Sequence, residues 1–277
     1  LGESVTLSVE AIGEAPLYYQ WRKEGVAVGG ATNNAYTIVG VQTNHGGDYV
    51  VVVSNVGGSV TSAVARLTVL VPPSVSTPPA SQTVVAGTNV TLSVGVSGTG
   101  PFGYQWRKNG GNILGATNAS YALGSVGAAG GGDYTVFVNT AAGSVVSGVA
   151  VLTVIGPPGI SLSPSNQTVV VGTTASFGVT ASGIGPFGYQ WRKEGVDLAG
   201  ATNASYAIAN VTTNHAGDYR VVVSNAAGSV TSVVAVLTVL VPPTITLEPA
   251  SQTVVAGAGV SFNVGASGTA PLGYQWR

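Results

Sequence analysis

Two histidines are the side chains whose type could support acid–base or metal chemistry. His45 and His215 lie 170 residues apart, and the position midway between them is Gly130. A zinc site or an acid–base pair would need a second histidine, a cysteine or paired carboxylates nearby, and the sequence gathers none beside either histidine. A structural role in a turn is therefore predicted for both, with metal binding or acid–base work as the alternative.

Carboxylates recur as single residues at a fixed spacing. Calcium requires six to eight oxygen ligands, so one aspartate per copy predicts turn or capping chemistry before the following apolar run, not a cation site. These aspartates are Asp48, Asp133 and Asp218. Glu24 and Glu194 share a hairpin-turn position with Asn109, and a position that tolerates an amide is not expected to hold a catalytic acid. With no nucleophile elbow or phosphate loop, the sequence predicts no enzyme, no cofactor and no metal.

All these positions recur because the whole chain repeats every 85 residues. The motif Tyr-Gln-Trp-Arg contains every tryptophan of the chain, at Trp21, Trp106, Trp191 and Trp276. A fixed period marks an array of folding modules. Proline pairs at one phase predict the boundaries, because proline ends a strand and directs the next. We expect repeat 1 over 1–71, lacking its first strand, complete repeats 2 and 3 over 72–156 and 157–241, and the N-terminal part of a fourth over 242–277, in a segment of a longer protein.

Composition argues against a nucleic-acid partner, a disordered chain and a membrane-spanning helix. Charged residues make up 7% of the 277, with a net charge of -1, so the clustered lysine and arginine of a nucleic-acid surface are missing. Mean hydropathy is positive, which argues against disorder. The apolar runs are broken by serine, glycine and the proline pairs, so no membrane-spanning helix is predicted.

Short alternating segments predict strands throughout. In repeat 3 we expect strands over 167–171, 175–181, 189–193, 204–209, 219–224 and 229–240. Period-two patterns bounded by glycine, proline and asparagine every 8 to 12 residues or so are typical of an all-β sandwich.

Three co-spaced features of each repeat resemble an immunoglobulin-like domain of the intermediate type. Trp191-Arg-Lys-Glu-Gly195 resembles the strand on which the family places a core tryptophan, and His215-Ala-Gly-Asp-Tyr219 resembles the Asp-x-Gly-x-Tyr segment that carries the tyrosine corner. The resemblance implies a tandem array of antiparallel β-sandwiches. It also implies core roles for the tryptophans and for Tyr49, Tyr134 and Tyr219.

The sequence departs from the family at its cysteines, since the chain has none. The family pattern implies cysteines where this chain has valine, at Val9, Val94, Val179 and Val264 and at Val51, Val136 and Val221. We therefore expect a valine pair to pack on each tryptophan in place of the disulfide. Cysteine-free copies in tandem resemble the immunoglobulin-like arrays of large bacterial surface or secreted proteins, which implies an extracellular or cell-surface location.

Arginine follows each tryptophan and is the candidate contact surface, together with nearby Tyr18, Phe102 and Phe187. These arginines are Arg22, Arg107 and Arg192. They could grip a polymer or a neighbouring copy, or simply cover the sandwich face. Asn118 and Asn203 fit the glycosylation sequon at one shared phase in an expected loop.

Uniformity of the repeats favours a structural function. Between 16–71 and 186–241, 39 of 56 positions are identical, so each repeat offers the same surface. We expect a non-enzymatic stalk or fibre segment of an extracellular bacterial protein that associates with itself, end to end or laterally. The alternatives are an adhesive array that binds a glycan or a cell-surface protein, and accessory modules of a secreted hydrolase.

Overall fold

The computed structural model describes residues 2–277, and nearly all of its regular structure is β-strand. It contains two compact units: one holds the residues up to Gln82 with 89–124 and 131–152, and the other holds 83–88, 125–130 and 153–277. This division passes through repeat 2, so the strands are given by sequence repeat.

The strands follow the 85-residue period. Repeat 1 has β1 (Val5–Ser8), β2 (Tyr18–Lys23), β3 (Val26–Ala27), β4 (Ala35–Ile38), β5 (Gly47–Asn55), β6 (Gly58–Thr61) and β7 (Ala65–Leu67). Repeat 2 has β8 (Ser74–Thr77), β9 (Gln82–Val85), β10 (Val90–Ser93), β11 (Gly95–Ser97), β12 (Gly103–Lys108), β13 (Gly111–Asn112), β14 (Ser120–Leu123), β15 (Gly132–Thr140), β16 (Gly143–Val146) and β17 (Ala150–Ile155). Repeat 3 has β18 (Gly159–Leu162), β19 (Gln167–Val170), β20 (Ala175–Gly178), β21 (Thr180–Ser182), β22 (Gly188–Lys193), β23 (Val196–Asp197), β24 (Ser205–Ile208), β25 (Gly217–Asn225), β26 (Gly228–Thr231) and β27 (Ala235–Leu240). Residues 242–277 contain β28 (Thr244–Leu247) and β29 (Gly265–Ser267). The helical turns are 3-10 turns at Thr43–His45, Ala128–Gly130 and Thr213–His215.

Each complete repeat is a two-layer sandwich. In repeat 3 the larger sheet has the order β19-β27-β25-β22-β23, with β26 also paired to β25. Only β19 runs parallel to its neighbour. The opposite layer contains the antiparallel pairs β20-β24 and β18-β21. Repeat 2 repeats this arrangement, and repeat 1 keeps β3-β2-β5 with β6 and β7, opposed by β1-β4. The predicted all-β sandwich fold is confirmed.

The core of repeat 3 lies between these layers. Alternation along β20 and β25 turns every second side chain inward, as the pleat requires, and places Phe177 and Val221 beside Trp191. Trp191 and Val221 are fully buried and Phe177 is 1% exposed. The Phe177 ring stacks on Tyr219 with centroids 4.8 Å apart. Burial of such side chains contributes roughly 1.5–3 kcal/mol each, so this cluster dominates the stability of the repeat.

The prediction of one strand over 229–240 is wrong, because the chain divides there into β26 and β27. Between the pairs Val222–Thr231 and Tyr219–Ala235, one residue more lies on the β26–β27 side than on β25. The extra residue produces a β-bulge, and Ser232 is part of this bulge. The Ser232 N–H donates to the Val221 carbonyl at 2.9 Å, so the break keeps its hydrogen bonds to β25.

The strand predicted over 175–181 also divides. Its first part pairs with β24 and its last part, from Thr180, pairs with β18. The inward alternation is kept across the break, since Val179 is 8% exposed. Strand β18 itself was not predicted, because Gly159–Leu162 follows a proline pair and carries glycine at its start.

Candidate functional site

The histidines lie in the 3-10 turns that precede β5 and β25. The Nδ1 atom of His215 accepts a hydrogen bond from the Thr212 N–H at 2.9 Å, and the His215 carbonyl accepts the Tyr219 hydroxyl at 2.7 Å. His45 makes the same two bonds, with the Gln42 N–H at 3.0 Å and the Tyr49 hydroxyl at 2.8 Å. Each histidine therefore caps its turn and supports a tyrosine corner.

Burial changes the titration of the corner tyrosines. Burial, followed by the proximity of Tyr206 and Glu194, raises the pKa of Tyr219 to about 12 from its usual 10.0. Burial and neighbouring tyrosines raise the pKa of Tyr49 and Tyr134 as well. Each tyrosine is at most 2% exposed, so its ionised form would lack water around it.

Alkaline pH should therefore destabilise the folded chain. The folded pKa of Tyr219 lies above the unfolded one, so its contribution is fully present below about pH 10 and is lost as the pH rises through about 12. In urea unfolding at pH 9 and pH 11, roughly, the free energy of unfolding should fall between the two for the natural chain and fall less for Tyr219→Phe. Equal losses in both proteins would contradict this assignment.

A turn residue that recurs 24 positions before each aspartate supplies a hydrogen-bond acceptor that sequence reasoning missed. Glu194 has a left-handed φ of 49°, and its Oε1 accepts the Asp218 N–H at 2.8 Å. Asn109 does the same for the Asp133 N–H at 2.9 Å. The aspartates themselves lie inside β5, β15 and β25, so their predicted position in the turn is wrong. The available sequence signal for this role was a turn position that holds glutamate or asparagine in every repeat that includes it.

Replacement of Glu194 tests this role. Glu194→Ala removes the acceptor for the Asp218 N–H, while Glu194→Gln keeps an oxygen at the same reach, as Asn109 does in repeat 2. We expect Ala to lower the local stability of repeat 3 by about 0.5–1.5 kcal/mol and Gln to change it little. Hydrogen exchange on the full chain measures the local stability of both variants. If the Gln variant is as unstable as the Ala variant, the carboxylate charge is required and an oxygen acceptor alone is not enough.

Each tryptophan is held by hydrogen bonds as well as by packing. The Trp191 indole N–H donates to the Asn203 carbonyl at 2.9 Å, and the Gln190 amide bridges the carbonyls of Trp191 and Leu198. Trp21 and Trp106 repeat these bonds. Trp21 is 3% exposed and Trp106 is fully buried. Of the positions implied for cysteine, Val51, Val94, Val136, Val179 and Val221 are buried, whereas Val9 and Val264 are half-buried.

The candidate contact arginines lie on the outer side of the larger sheets but do not form a repeated arginine–aromatic surface. Arg107 lies 5.2 Å above the Phe137 ring, whereas Val52 and Val222 occupy that position in the other repeats. Arg192 pairs with Asp197, and Arg22 is exposed. The predicted stripe therefore differs from repeat to repeat.

The nearby aromatic rings belong to different environments. Phe187 packs against the core of repeat 3, Phe102 lies beside Tyr104 with centroids 6.5 Å apart, and Tyr18 is 63% exposed. The side chains of Asn118 and Asn203 are exposed, two residues before the start of β14 and β24 respectively. Within residues 2–277 no group of three metal-ligating side chains occurs, and no helix is long and apolar enough to cross a membrane.

A family model described as an immunoglobulin domain matches residues 157–225. That segment holds Trp191, the tyrosine corner and the strands β18 to β25, which belong to both layers of the sandwich. The chain has the fold of a tandem array of immunoglobulin-like β-sandwiches. The solved I-band fragment I67–I69 of titin is similar to it, with a TM-score of 0.62, 25% identity and coverage of 86% of this chain and 93% of the fragment.

Two curated proteins are also similar to this immunoglobulin-like array. Human hemicentin-1 is 31% identical over 304 residues, which cover 100% of this chain and 5% of hemicentin-1. Endoglucanase C of Cellulomonas fimi is 33% identical over 116 residues, which cover 40% of this chain and 10% of the endoglucanase. The array thus spans a small part of the length of each relative.

Proposed function

We propose that this array is a non-enzymatic structural segment that holds other parts of an extracellular protein at a set spacing, as in a bacterial stalk or fibre, and that associates with copies of itself. The observation that carries the proposal is how the recurring polar side chains are used. Those that could have formed a site bond to backbone instead: His45 and His215 to turns, Glu194 to a strand amide. We also propose the repeat boundaries 1–71, 72–156, 157–241 and 242–277 as the domain boundaries.

Uniformity supports the same function. The tryptophan hydrogen bond and the glutamine bridge recur at the same phase in repeats 1, 2 and 3, and the tyrosine corner recurs in repeats 1 and 3. A spacer needs units of equal size and stability, whereas a specific site needs only one copy. A surface repeated at a constant step also suits repeated contact with an identical chain.

Electron microscopy of the full chain, combined with a glycan array, tests the proposal. We expect units at a regular axial spacing and no saturable binding to any glycan. Saturable binding that is lost in a triple variant, Arg22→Ala, Arg107→Ala and Arg192→Ala, would replace the structural function by an adhesive one.

The match to endoglucanase C favours a second candidate, that of accessory modules in a secreted hydrolase. Such modules would space or position a catalytic domain that lies elsewhere in the protein. Polysaccharide pull-down with the full chain distinguishes the two functions: retention on cellulose or a related β-glucan supports the accessory role, and its absence favours the spacer.

A further inference from the structure

One strand in each repeat has a free edge. β24 pairs with β20 on one side and with no other strand of the described chain, and β4 and β14 stand in the same position beside β1 and β10. The three strands are equivalent in the sequence period. Each has four residues paired in regular register, without a bulge.

The hydrogen-bond pattern identifies which backbone groups face that edge. The Val179 N–H donates to the Ala204 carbonyl at 3.0 Å. Residues of an antiparallel pair alternate between bonding to the partner and turning away from it. Ser205 and Ala207 therefore turn their N–H and C=O groups to the free edge. Corresponding bonds from Val9 to Asn34 and from Val94 to Ala119 fix the same alternation in the other repeats.

The residues at this edge are small, uncharged and exposed in every repeat. They are Ala35 and Thr37, Ser120 and Ala122, and Ser205 and Ala207. Their amides have no hydrogen-bond partner among residues 2–277. Natural proteins usually protect such edges with very short strands, lysine, proline or a bulge. These three strands are short, at four residues each, but carry no lysine, proline or bulge.

In repeats 2 and 3, charge is absent from the layer that holds the edge, whereas in repeat 1 Glu3 and Glu10 flank β1. In repeats 2 and 3 every charged side chain lies on the larger sheet or on its adjoining turn, at Arg107, Lys108, Asp133, Arg192, Lys193, Glu194, Asp197, Asp218 and Arg220. A highly charged partner therefore has no counter-charge at β14 or β24. An identical neutral strand can approach without repulsion.

We infer that this free edge binds a second copy of the chain, by antiparallel pairing of β4, β14 or β24 with the same strand of the copy. The inference rests on the proposed self-association and specifies its surface. Two equivalent strands would contribute about four backbone hydrogen bonds per pair, since each turns two N–H and two C=O groups outward. Small side chains allow the two backbones to come within bonding distance. Because each chain carries three such edges, weak pairs would reinforce one another.

Sedimentation velocity of the full chain over a range of concentrations tests the inference. The variant carries Thr37→Lys, Ala122→Lys and Ala207→Lys, which place charge at the edge. The matched control carries Ser59→Lys, Ser144→Lys and Ser229→Lys, at exposed positions of β6, β16 and β26. We expect the natural chain and the control to associate alike. The edge variant should associate at least about tenfold more weakly, because its lysines lie diagonally across each strand pair on one face of the sheet, where like charges repel.

The outcomes separate this inference from the proposed function. Normal association of the edge variant, or loss of association in the control alone, overturns the assigned edge but leaves self-association standing. A natural chain that stays monomeric at its highest soluble concentration overturns the edge and the self-association together, while the spacing seen by electron microscopy still tests the structural role. Circular dichroism verifies that all variants fold, and the single variant Ala207→Lys replaces the triple variant if the latter does not.

Discussion

Trp191→Ala should unfold repeat 3 or leave it close to unfolding. The indole is fully buried among Phe177, Tyr206 and Val221, and its N–H bond to the Asn203 carbonyl would be lost as well. Truncation of a buried tryptophan costs about 3–5 kcal/mol, a large share of the roughly 5–15 kcal/mol that stabilises a domain. Without a disulfide across the layers, no covalent bond compensates.

Hydrogen exchange with mass spectrometry on the full chain measures this effect repeat by repeat. Peptides of repeat 3 should lose protection, while those of repeat 1, which has its own tryptophan core, should keep theirs. Arg192→Ala is the matched control, because an exposed ion pair such as that with Asp197 contributes at most about 1 kcal/mol. Equal loss of protection in the two variants would refute the core assignment of Trp191.

Ser232→Ala should destabilise repeat 3 out of proportion to the single oxygen removed. The hydroxyl accepts the Val221 N–H at 3.0 Å and donates to the Val233 carbonyl at 2.8 Å. Ser232 is 6% exposed and Val221 is fully buried, so water does not readily replace the lost acceptor. An unsatisfied buried amide costs about 1–3 kcal/mol.

The same exchange experiment measures the Ser232 variant. Ser229→Ala is its control, since Ser229 lies three residues away in β26 with an exposed side chain. We expect faster exchange along β25 and β27 in the first variant and no change in the second. Unaltered exchange at the Val221 amide would mean that the bulge holds without the hydroxyl. Ser62 and Ser147 make equivalent bonds in the other repeats, so the substitution can be repeated there.

The fold was predictable from the sequence because its signals are periodic. Alternation puts Phe177 and Val221 on inward faces, and the 85-residue recurrence of tryptophan fixes the unit. The contacts between distant residues were not predictable in the same way. The chain is rich in serine, and nothing local distinguishes Ser232 from its neighbours until β25 lies beside it. Glu194 bonds to an amide 24 residues away, which becomes close only when the hairpin and β25 meet.

The candidate site was less predictable than the fold. Sequence reasoning grouped Arg107 with the aromatic rings near its own strand, yet the ring beneath it is Phe137 of β15. Neighbours across a sheet depend on register, which the sequence of one strand does not fix. The free edges of β4, β14 and β24 were likewise not predicted, since an unpaired strand has the same sequence pattern as a paired one.

The confinement of charge to one part of repeats 2 and 3 also determines how proteases that cut after lysine and arginine can attack these repeats. Arg107, Lys108, Arg192, Lys193 and Arg220 are the basic residues of repeats 2 and 3, and all lie within strands β12, β22 and β25. A protease needs its substrate segment to open before cleavage, so trypsin should leave these repeats intact until the central sheet separates. The exposed loops, where proteolysis usually begins, offer it no target there. Tryptic cleavage of repeats 2 and 3 would therefore report opening of their cores and not motion at their surface.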